Sequence, residues 1–259
     1  MLKKRFVTAS IGVILILLVC YFGSIYIVAS IGLLSILGIY EYCRMLENKN
    51  YHPPYYLTIG AGIAATLLVA YGFANYLLIF IIVVFLLFCI YKLLRHTSWA
   101  ELLISYIGTL YIGLGFGYLI LLRLFALDWR FVLLAFVITW STDTGAYFIG
   151  CHFGRHKLAP KISPKKTIEG AIGGLIVTLI VGWIYSLFFF DISIIRLLIF
   201  LAMSSVIAQA GDLIESAIKR WAGVKDSGKI LPGHGGVLDR FDSMLVVAPL
   251  VYFLFGFFS

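Results

Sequence analysis

Long apolar stretches alternate with polar links along most of this chain, and this pattern predicts its architecture. A helix needs about 20 apolar residues to cross the hydrocarbon core of a bilayer. Nine segments approach that length, so we expect an all-α, polytopic membrane protein with about nine transmembrane helices. The predicted spans are 6–23, 24–43, 55–72, 74–93, 102–125, 131–150, 168–190, 194–215 and 240–258.

The links between the spans divide the chain into a plain part and a charged part. Very short links near Gly23 and Gly72 predict two helical hairpins, whereas segments 151–167 and 216–239 form longer polar loops. We therefore predict an N-terminal transmembrane region over 1–130, with about five spans. A C-terminal region over 131–259 then carries the chemistry in its spans and in the two loops.

Composition excludes an ordinary soluble domain. Of the 259 residues, 62% are hydrophobic and 12% are charged, and the mean hydropathy is +1.05. Soluble domains are about 45–50% apolar and about 25% charged. The basic N-terminus and the apolar run after it imitate a secretory signal, but without a convincing cleavage site we expect an uncleaved first span.

The distribution of basic residues predicts the orientation of the chain in the membrane. The net charge is +8, and Lys and Arg collect in cytoplasmic loops of membrane proteins. With the N-terminus inside, 17 of the 20 Lys and Arg residues lie on the cytoplasmic side. The N-terminus and both long loops are therefore predicted to be cytoplasmic. No aromatic-interleaved basic platform is present, so we expect no nucleic-acid partner.

Several patterns resemble known motifs but do not indicate a functional site. Cys20, Cys43, Cys89 and Cys151 form no CxxC pair, so we expect neither a disulfide framework nor a zinc site. His152 and His156 are four residues apart but lack a third ligand. Residues 223–229 match most of a P-loop, but Ile230 replaces its Ser or Thr and no strand precedes it.

Acidic residues at the ends of the later spans are the first candidates for chemistry. They are Asp143, Asp212, Asp239 and Asp242, and a carboxylate at the bilayer centre costs about 2.5–3.5 kcal/mol. Asp212, Glu215, Ser216 and Lys219 share one helical face, and Asp239 and Asp242 share another. Two neighbouring helices could thus aim Asp212 and Asp239 at one Mg²⁺ ion. The alternative is a set of interfacial or helix-capping carboxylates.

Basic and glycine-rich residues surround these carboxylates. Lys219, Arg220, Lys225, Lys229 and Arg240 suit a polyphosphate. Gly228, Gly233, Gly235 and Gly236 allow positive φ and close approach of backbone N–H groups to an anion. His234 lies among them, either as a hydrogen-bonded loop residue or as a group that contacts phosphate or transfers a proton.

The other polar loop leads into the seventh span. Ser163 or Thr167 can cap that helix, and Lys165 and Lys166 lie beside an N-terminus that favours anions. A plain positive-inside loop is the alternative. Asp143 and Tyr147, one turn apart, predict a pocket wall. The Gly170-xxx-Gly174 motif predicts helix packing, with dimerisation as the alternative.

Residues 216–242 resemble the signature of the phosphatidate cytidylyltransferase family, also called CDP-diacylglycerol synthases. The segment contains Ser216-Ala-Ile-Lys219-Arg220, then Lys225-Asp226-Ser-Gly228, then Pro232-Gly-His234-Gly235-Gly236-Val-Leu-Asp239-Arg240-Phe-Asp242. No position departs from the pattern. Gly211-Asp212, Asp143-Thr144 with Tyr147, and Ser163-Pro-Lys-Lys-Thr167 are also similar to the family.

The resemblance implies a membrane enzyme of phospholipid biosynthesis that converts CTP and phosphatidate into CDP-diacylglycerol and pyrophosphate. It also implies Mg²⁺ dependence, room for a second, monovalent cation such as K⁺, and a homodimer. Asp212, Asp239, Lys225, Asp226, His234 and Asp242 would then serve catalysis, with Asp212 and Asp239 on the metal. Substrate binding would fall to Asp143, Ser163, Lys165, Lys166, Thr167, Ser216, Lys219, Arg220, Gly235, Gly236 and Arg240.

Two other classes stay open at this point. A CTP-dependent lipid kinase would use similar residues but release CDP. A transporter would also carry intramembrane carboxylates, although no inverted repeat is evident in the sequence.

Overall fold

The computed structural model describes residues 23–124, 129–231 and 235–258, together with the separate positions 12, 16, 18 and 21. Nearly all of the predicted first span, and with it Cys20, lies outside these residues. So does His234.

Nine α-helices and one small hairpin make up the described chain. The first four helices are α1 (Ser24–Glu47), α2 (Tyr55–Ala70), α3 (Leu77–Arg95) and α4 (Trp99–Leu124), and a 3₁₀ turn, Ala74–Tyr76, precedes α3. Next come α5 (Trp129–Phe153), strands β1 (Lys157–Ala159) and β2 (Ser163–Thr167), and α6 (Ile168–Phe189). The chain continues through α7 (Ile194–Trp221), α8 (Leu238–Phe241) and α9 (Met244–Phe258).

The largely helical, membrane-spanning character expected from the sequence is confirmed. Six helices within the described ranges are long and apolar enough to cross a membrane, namely α1 from Ile25, α3, α4, α5, α6 and α7. Helix α2 is apolar but only 16 residues long, and α9 has 15 residues. The total of nine spans and the cytoplasmic N-terminus therefore stay predictions.

Two expectations need correction. Segment 151–167 is not simply a loop, because α5 continues to Phe153 and β1 pairs antiparallel with β2, Lys157 opposite Thr167. The predicted span 240–258 is not one helix either. It breaks at Asp242, whose Oδ1 atom accepts the N–H of Ser243 at 2.6 Å. A side chain that bonds locally to the backbone in this way competes with the helical hydrogen bonds.

Contacts divide the chain into two compact units. The first contains Met1–Leu127 with Trp221–Phe241, and the second contains Asp128–Arg220 with Asp242–Ser259. The first unit thus contains α1 to α4, α8 and the segment 227–238 that leads into α8, called here the glycine-rich segment. The second takes in nearly all of α5 to α7, the hairpin and α9.

In the first unit, close backbone approach joins α2 to α4. A Cβ atom added at Gly113 would lie 2.6 Å from the carbonyl oxygen of Gly62, so only glycine fits this contact. Thr66 donates its hydroxyl hydrogen to the carbonyl of Gly113 at 3.0 Å, and its hydroxyl lies 2.9 Å from that of Ser35 on α1. Small residues and hydroxyl bonds of this kind typically join helices in a membrane.

In the second unit, α5 packs against α6 in the same manner. Added Cβ atoms at Gly170 and Gly174 would lie 2.8 and 2.7 Å from carbonyl oxygens of α5. The predicted Gly-xxx-Gly motif therefore serves helix packing within the chain. Buried hydroxyls extend this contact to α7. The Thr142 hydroxyl oxygen lies 2.7 Å from the Thr178 hydroxyl oxygen of α6, and the Thr142 hydroxyl donates to the Ser205 hydroxyl of α7 at 3.1 Å.

Candidate active site

The second unit contains a cavity of about 310 Å³ bounded by α5, the hairpin, α6 and α7. Asp143 and Tyr147 line it from α5, which agrees with the pocket wall predicted from their spacing. Five of the proposed substrate or metal residues meet at this cavity, together with Gln209 of α7, which no sequence pattern singled out. The five are Asp143, Lys165, Lys166, Thr167 and Asp212.

Local hydrogen bonds hold the hairpin at the start of α6. Thr167 caps this helix by accepting the N–H of Gly170 at 3.1 Å, as predicted, whereas Ser163 lies at the far end of β2. Glu169 accepts the backbone N–H of Arg155 at 3.0 Å and contacts His156 Nδ1 at 2.6 Å. Lys165 and Lys166 are therefore held beside a capped helix N-terminus, which favours an anion.

Helix α7 presents the predicted polar face. Ser216 donates to Asp212 at 3.3 Å, and Lys219 pairs with Glu215 at 2.5 Å, so all four side chains lie on one side of the helix. Asp212 also forms an ion pair with Lys166 of β2. Glu215 and Lys219 are only 2% and 9% exposed, which makes Lys219 the partner of a buried carboxylate as well as a candidate phosphate ligand.

Asp242 belongs to the same unit and adds a further carboxylate to those of Asp212 and Glu215. A Cβ atom added at Gly211 would lie 2.9 Å from the carbonyl oxygen of Asp242, so α7 and the turn after α8 are in close contact. The charges of Asp212, Glu215 and Asp143 all act on the Asp242 carboxyl group. Carboxylates whose charges act on one another repel unless a cation or a proton compensates their charge.

The first unit holds Asp239, at the start of α8. Its Oδ2 atom accepts the backbone N–H groups of Ser227 and Gly236, both at 2.8 Å, and the Ser227 hydroxyl at 3.0 Å. Gly235 has a φ of +85°, and an added Cβ atom would lie 2.5 Å from Oδ2. Positive φ and close approach are therefore both required at Gly235, as the glycine-rich sequence predicts.

A carboxylate that the sequence interpretation passed over is bound to this segment. Glu41 of α1 accepts the N–H groups of Val237 at 2.9 Å and Leu238 at 3.1 Å, and the Ser227 hydroxyl at 3.0 Å. It was detectable in principle, because it is the one charged residue within the predicted span 24–43. The anion that this glycine-rich backbone holds in the structure is thus a carboxylate of the chain itself.

The remaining proposed residues lie at accessible positions. Lys225, Asp226 and Arg240 are exposed in the first unit. Arg220 is exposed at the end of α7, where its Nε donates to the carbonyl of Ile162 at 3.2 Å. These positions suit binding of a ligand that arrives from water.

The candidate metal ligands are hard oxygen donors, which Mg²⁺ prefers. Within residues 23–124, 129–231 and 235–258, no three His, Cys, Asp or Glu side chains form a group that could hold a metal ion. Mg²⁺ commonly takes only one or two carboxylates and completes its shell with water and substrate phosphates. Asp212 and Asp239 belong to different units, so their use on one ion stays a prediction.

Comparisons with known proteins agree on one family. Residues 3–258 match the family model described as the cytidylyltransferase family. A Bacillus subtilis (strain 168) protein named phosphatidate cytidylyltransferase is 49% identical over 155 residues, which are 59% of this chain and 58% of that protein. Proteins of the same name from Staphylococcus haemolyticus (strain JCSC1435) and Staphylococcus aureus (strain COL) are 54% and 51% identical over 146 residues. These segments cover 56% of this chain and 55% of each relative, so each match spans little more than half of the relative's length.

Proposed function

Because this chain belongs to the cytidylyltransferase family, we propose that it converts CTP and phosphatidate into CDP-diacylglycerol and pyrophosphate, a step of phospholipid biosynthesis. The observation that carries this proposal is the cavity of about 310 Å³ between apolar helices, lined by Asp143, Asp212, Lys165 and Lys166. Acidic and basic groups at one cavity suit a metal-assisted reaction between phosphates.

The reaction is a direct nucleotidyl transfer. An anionic oxygen of the phosphatidate phosphate attacks the α-phosphorus of CTP and forms a new P–O bond. The bond between the α-phosphorus and the oxygen that bridges to the β-phosphorus breaks, and pyrophosphate leaves with that electron pair. The nucleophile is already deprotonated, so the protein need only position the phosphates and stabilise charge.

The cavity residues divide this work between them. Lys165 and Lys166, beside the capped start of α6, would hold a phosphate, because an ammonium group acts as a point charge on it. Asp143 would line the path of the lipid headgroup, and the acyl chains would stay among the apolar helices. Asp212 would supply oxygen to Mg²⁺, which would neutralise charge on the phosphates.

Residues outside the cavity complete the proposal. Lys219, Arg220, Lys225 and Arg240 would neutralise triphosphate and pyrophosphate charge, and Asp239 would be the second Mg²⁺ ligand. Asp226 and Asp242 would support the metal or a second, monovalent cation such as K⁺, and His234 would contact phosphate or transfer a proton. We also propose that the enzyme is a homodimer in a cell membrane, with its active site facing the cytoplasm, where CTP is available.

One assay tests the reaction class. Purified protein in lipid nanodiscs is given Mg²⁺, phosphatidate and CTP labelled on its α-phosphate. Labelled lipid formed in equal amount to pyrophosphate supports the transferase. Release of labelled CDP with unlabelled lipid would instead identify a lipid kinase. Absence of turnover under these conditions would contradict the transferase, because a transporter and a kinase that needs a lipid alcohol as acceptor would both give that result.

A further inference from the structure

Glu41 is a buried carboxylate at a costly position. It lies in α1, a candidate span, and only 2% of its surface is exposed. An ionisable residue inside a membrane helix is expensive unless it has partners and is therefore a candidate for a specific role. None of the steps proposed above uses Glu41.

The described partners of Glu41 all come from the glycine-rich segment of the first unit. They are two backbone N–H groups and one hydroxyl, and 186 to 197 residues of chain separate them from Glu41. Each of these groups can act as a hydrogen-bond donor. Charge-assisted bonds of this kind are about twice as strong as neutral ones, so Glu41 anchors the backbone at Val237 and Leu238.

Two glycines make room for this carboxylate. A Cβ atom added at Gly228 or at Gly236 would collide with the side-chain oxygens of Glu41. Their lack of a side chain is thus explained by the approach of a protein carboxylate to the backbone.

Ser227 connects Glu41 to Asp239. Its hydroxyl oxygen lies 3.0 Å from an oxygen of each carboxylate, and it also accepts the N–H of Asp239 at 3.3 Å. A hydroxyl has one proton to donate, so the two carboxylates share a single donor. Any displacement of Glu41 therefore changes the hydrogen bonds that orient Asp239.

We propose that Glu41 is a positioning residue: it holds the backbone at Val237 and Leu238 and, through the Ser227 hydroxyl, sets the orientation of the Asp239 carboxylate. As far as it concerns catalysis, this inference rests on the proposed function, in which Asp239 is a metal ligand. The ordering of the segment by Glu41 does not depend on that function.

Glu41→Gln is the informative variant because it keeps the size of the side chain. The amide offers one accepting oxygen where the carboxylate offers two, and its NH₂ group would face a donor. We expect amide hydrogen exchange in peptides covering 227–238 to become at least tenfold faster, while peptides from α2 and α4 keep their wild-type rates. We also expect kcat to fall about tenfold, with KM for CTP within threefold of wild type.

Two further variants keep the test decisive. Glu47→Gln, on the same helix but in an exposed ion pair with Arg44, should leave both exchange and kcat unchanged. Ser227→Ala removes one of the three donors. If Glu41 acts through Ser227, the variant that combines Glu41→Gln with Ser227→Ala should have a kcat no lower than that of Glu41→Gln alone.

The outcomes separate this inference from the proposed function. Unchanged exchange over 227–238 in Glu41→Gln would overturn the positioning role, whatever the activity. Faster exchange across α2 and α4 as well would show a general structural role and also overturn it. If wild-type protein forms no CDP-diacylglycerol, the proposed function fails, while the exchange measurement still decides whether Glu41 orders the segment.

Discussion

The Oδ2 atom of Asp239 accepts both the backbone N–H and the hydroxyl of Ser227, at 2.8 and 3.0 Å. With the N–H of Gly236, three donors converge on this one oxygen. Asp239 therefore closes the glycine-rich segment onto the start of α8, in addition to any part it plays on a metal. The two roles can be separated, because one needs an accepting oxygen and the other needs a negative charge.

Asp239→Asn should separate these roles. The amide oxygen can take the place of Oδ2 and keep the three hydrogen bonds, while the charge is lost. We expect turnover to fall more than about 100-fold, with unchanged hydrogen exchange over 227–238. Near-normal turnover would rule out the metal assignment, and Asp191→Asn, at an exposed position between α6 and α7, is the control.

Lys166→Gln should weaken phosphate binding at the cavity. The change removes the ammonium group that pairs with Asp212, and with it one positive charge beside the start of α6. We expect kcat/KM to fall about 10- to 100-fold, a typical range for one charged contact to a substrate of about 1.5–3 kcal/mol. Steady-state assays that vary CTP and phosphatidate separately show which substrate is affected.

The control for Lys166 is Lys161→Gln, because Lys161 is exposed in the turn of the same hairpin. It removes the same charge from the chain and should change kcat/KM by less than about threefold. An equal loss in the two variants would show that only the total charge of the hairpin matters.

Gly236→Ala should destabilise the first unit. The new methyl group would collide with Glu41 and with the Ser227 hydroxyl, and overpacking of this kind costs about 1–3 kcal/mol. Thermal unfolding in detergent should show a lower Tm. Gly60→Ala, in helix α2 with nothing within 4 Å of the added atom, should leave Tm unchanged or slightly raised. Equal Tm values for the two variants would contradict the crowding at Gly236.

Cys151 offers a test of orientation, because it is exposed near the end of α5, in the segment predicted to be cytoplasmic. In a variant that keeps Cys151 and replaces the other three cysteines, a membrane-impermeant maleimide should label inside-out vesicles but not intact cells. A second variant, with Asp191→Cys as its only cysteine, should show the opposite labelling. Labelling of Cys151 in intact cells would reverse the predicted topology.

Apolar length located the helices from the sequence alone. The predicted spans from 24–43 to 194–215 each correspond to an observed helix, with ends that differ by a few residues. Lipid solvation imposes this pattern, because a helix that satisfies its own backbone hydrogen bonds is nearly the only structure that can cross a bilayer. Helical spacing likewise predicted the shared face of Asp212 and Lys219, because that relation is local.

Long-range contacts could not be derived in the same way. The sequence offered no reason to connect Glu41 with Val237, and it suggested that the glycine-rich backbone would hold a substrate phosphate. Only tertiary packing brings α1 to that backbone, where a buried carboxylate and unpaired N–H groups satisfy one another. Residue type and spacing determined which elements form and which chemistry they carry, whereas the partner of each buried polar group was decided by the folded chain.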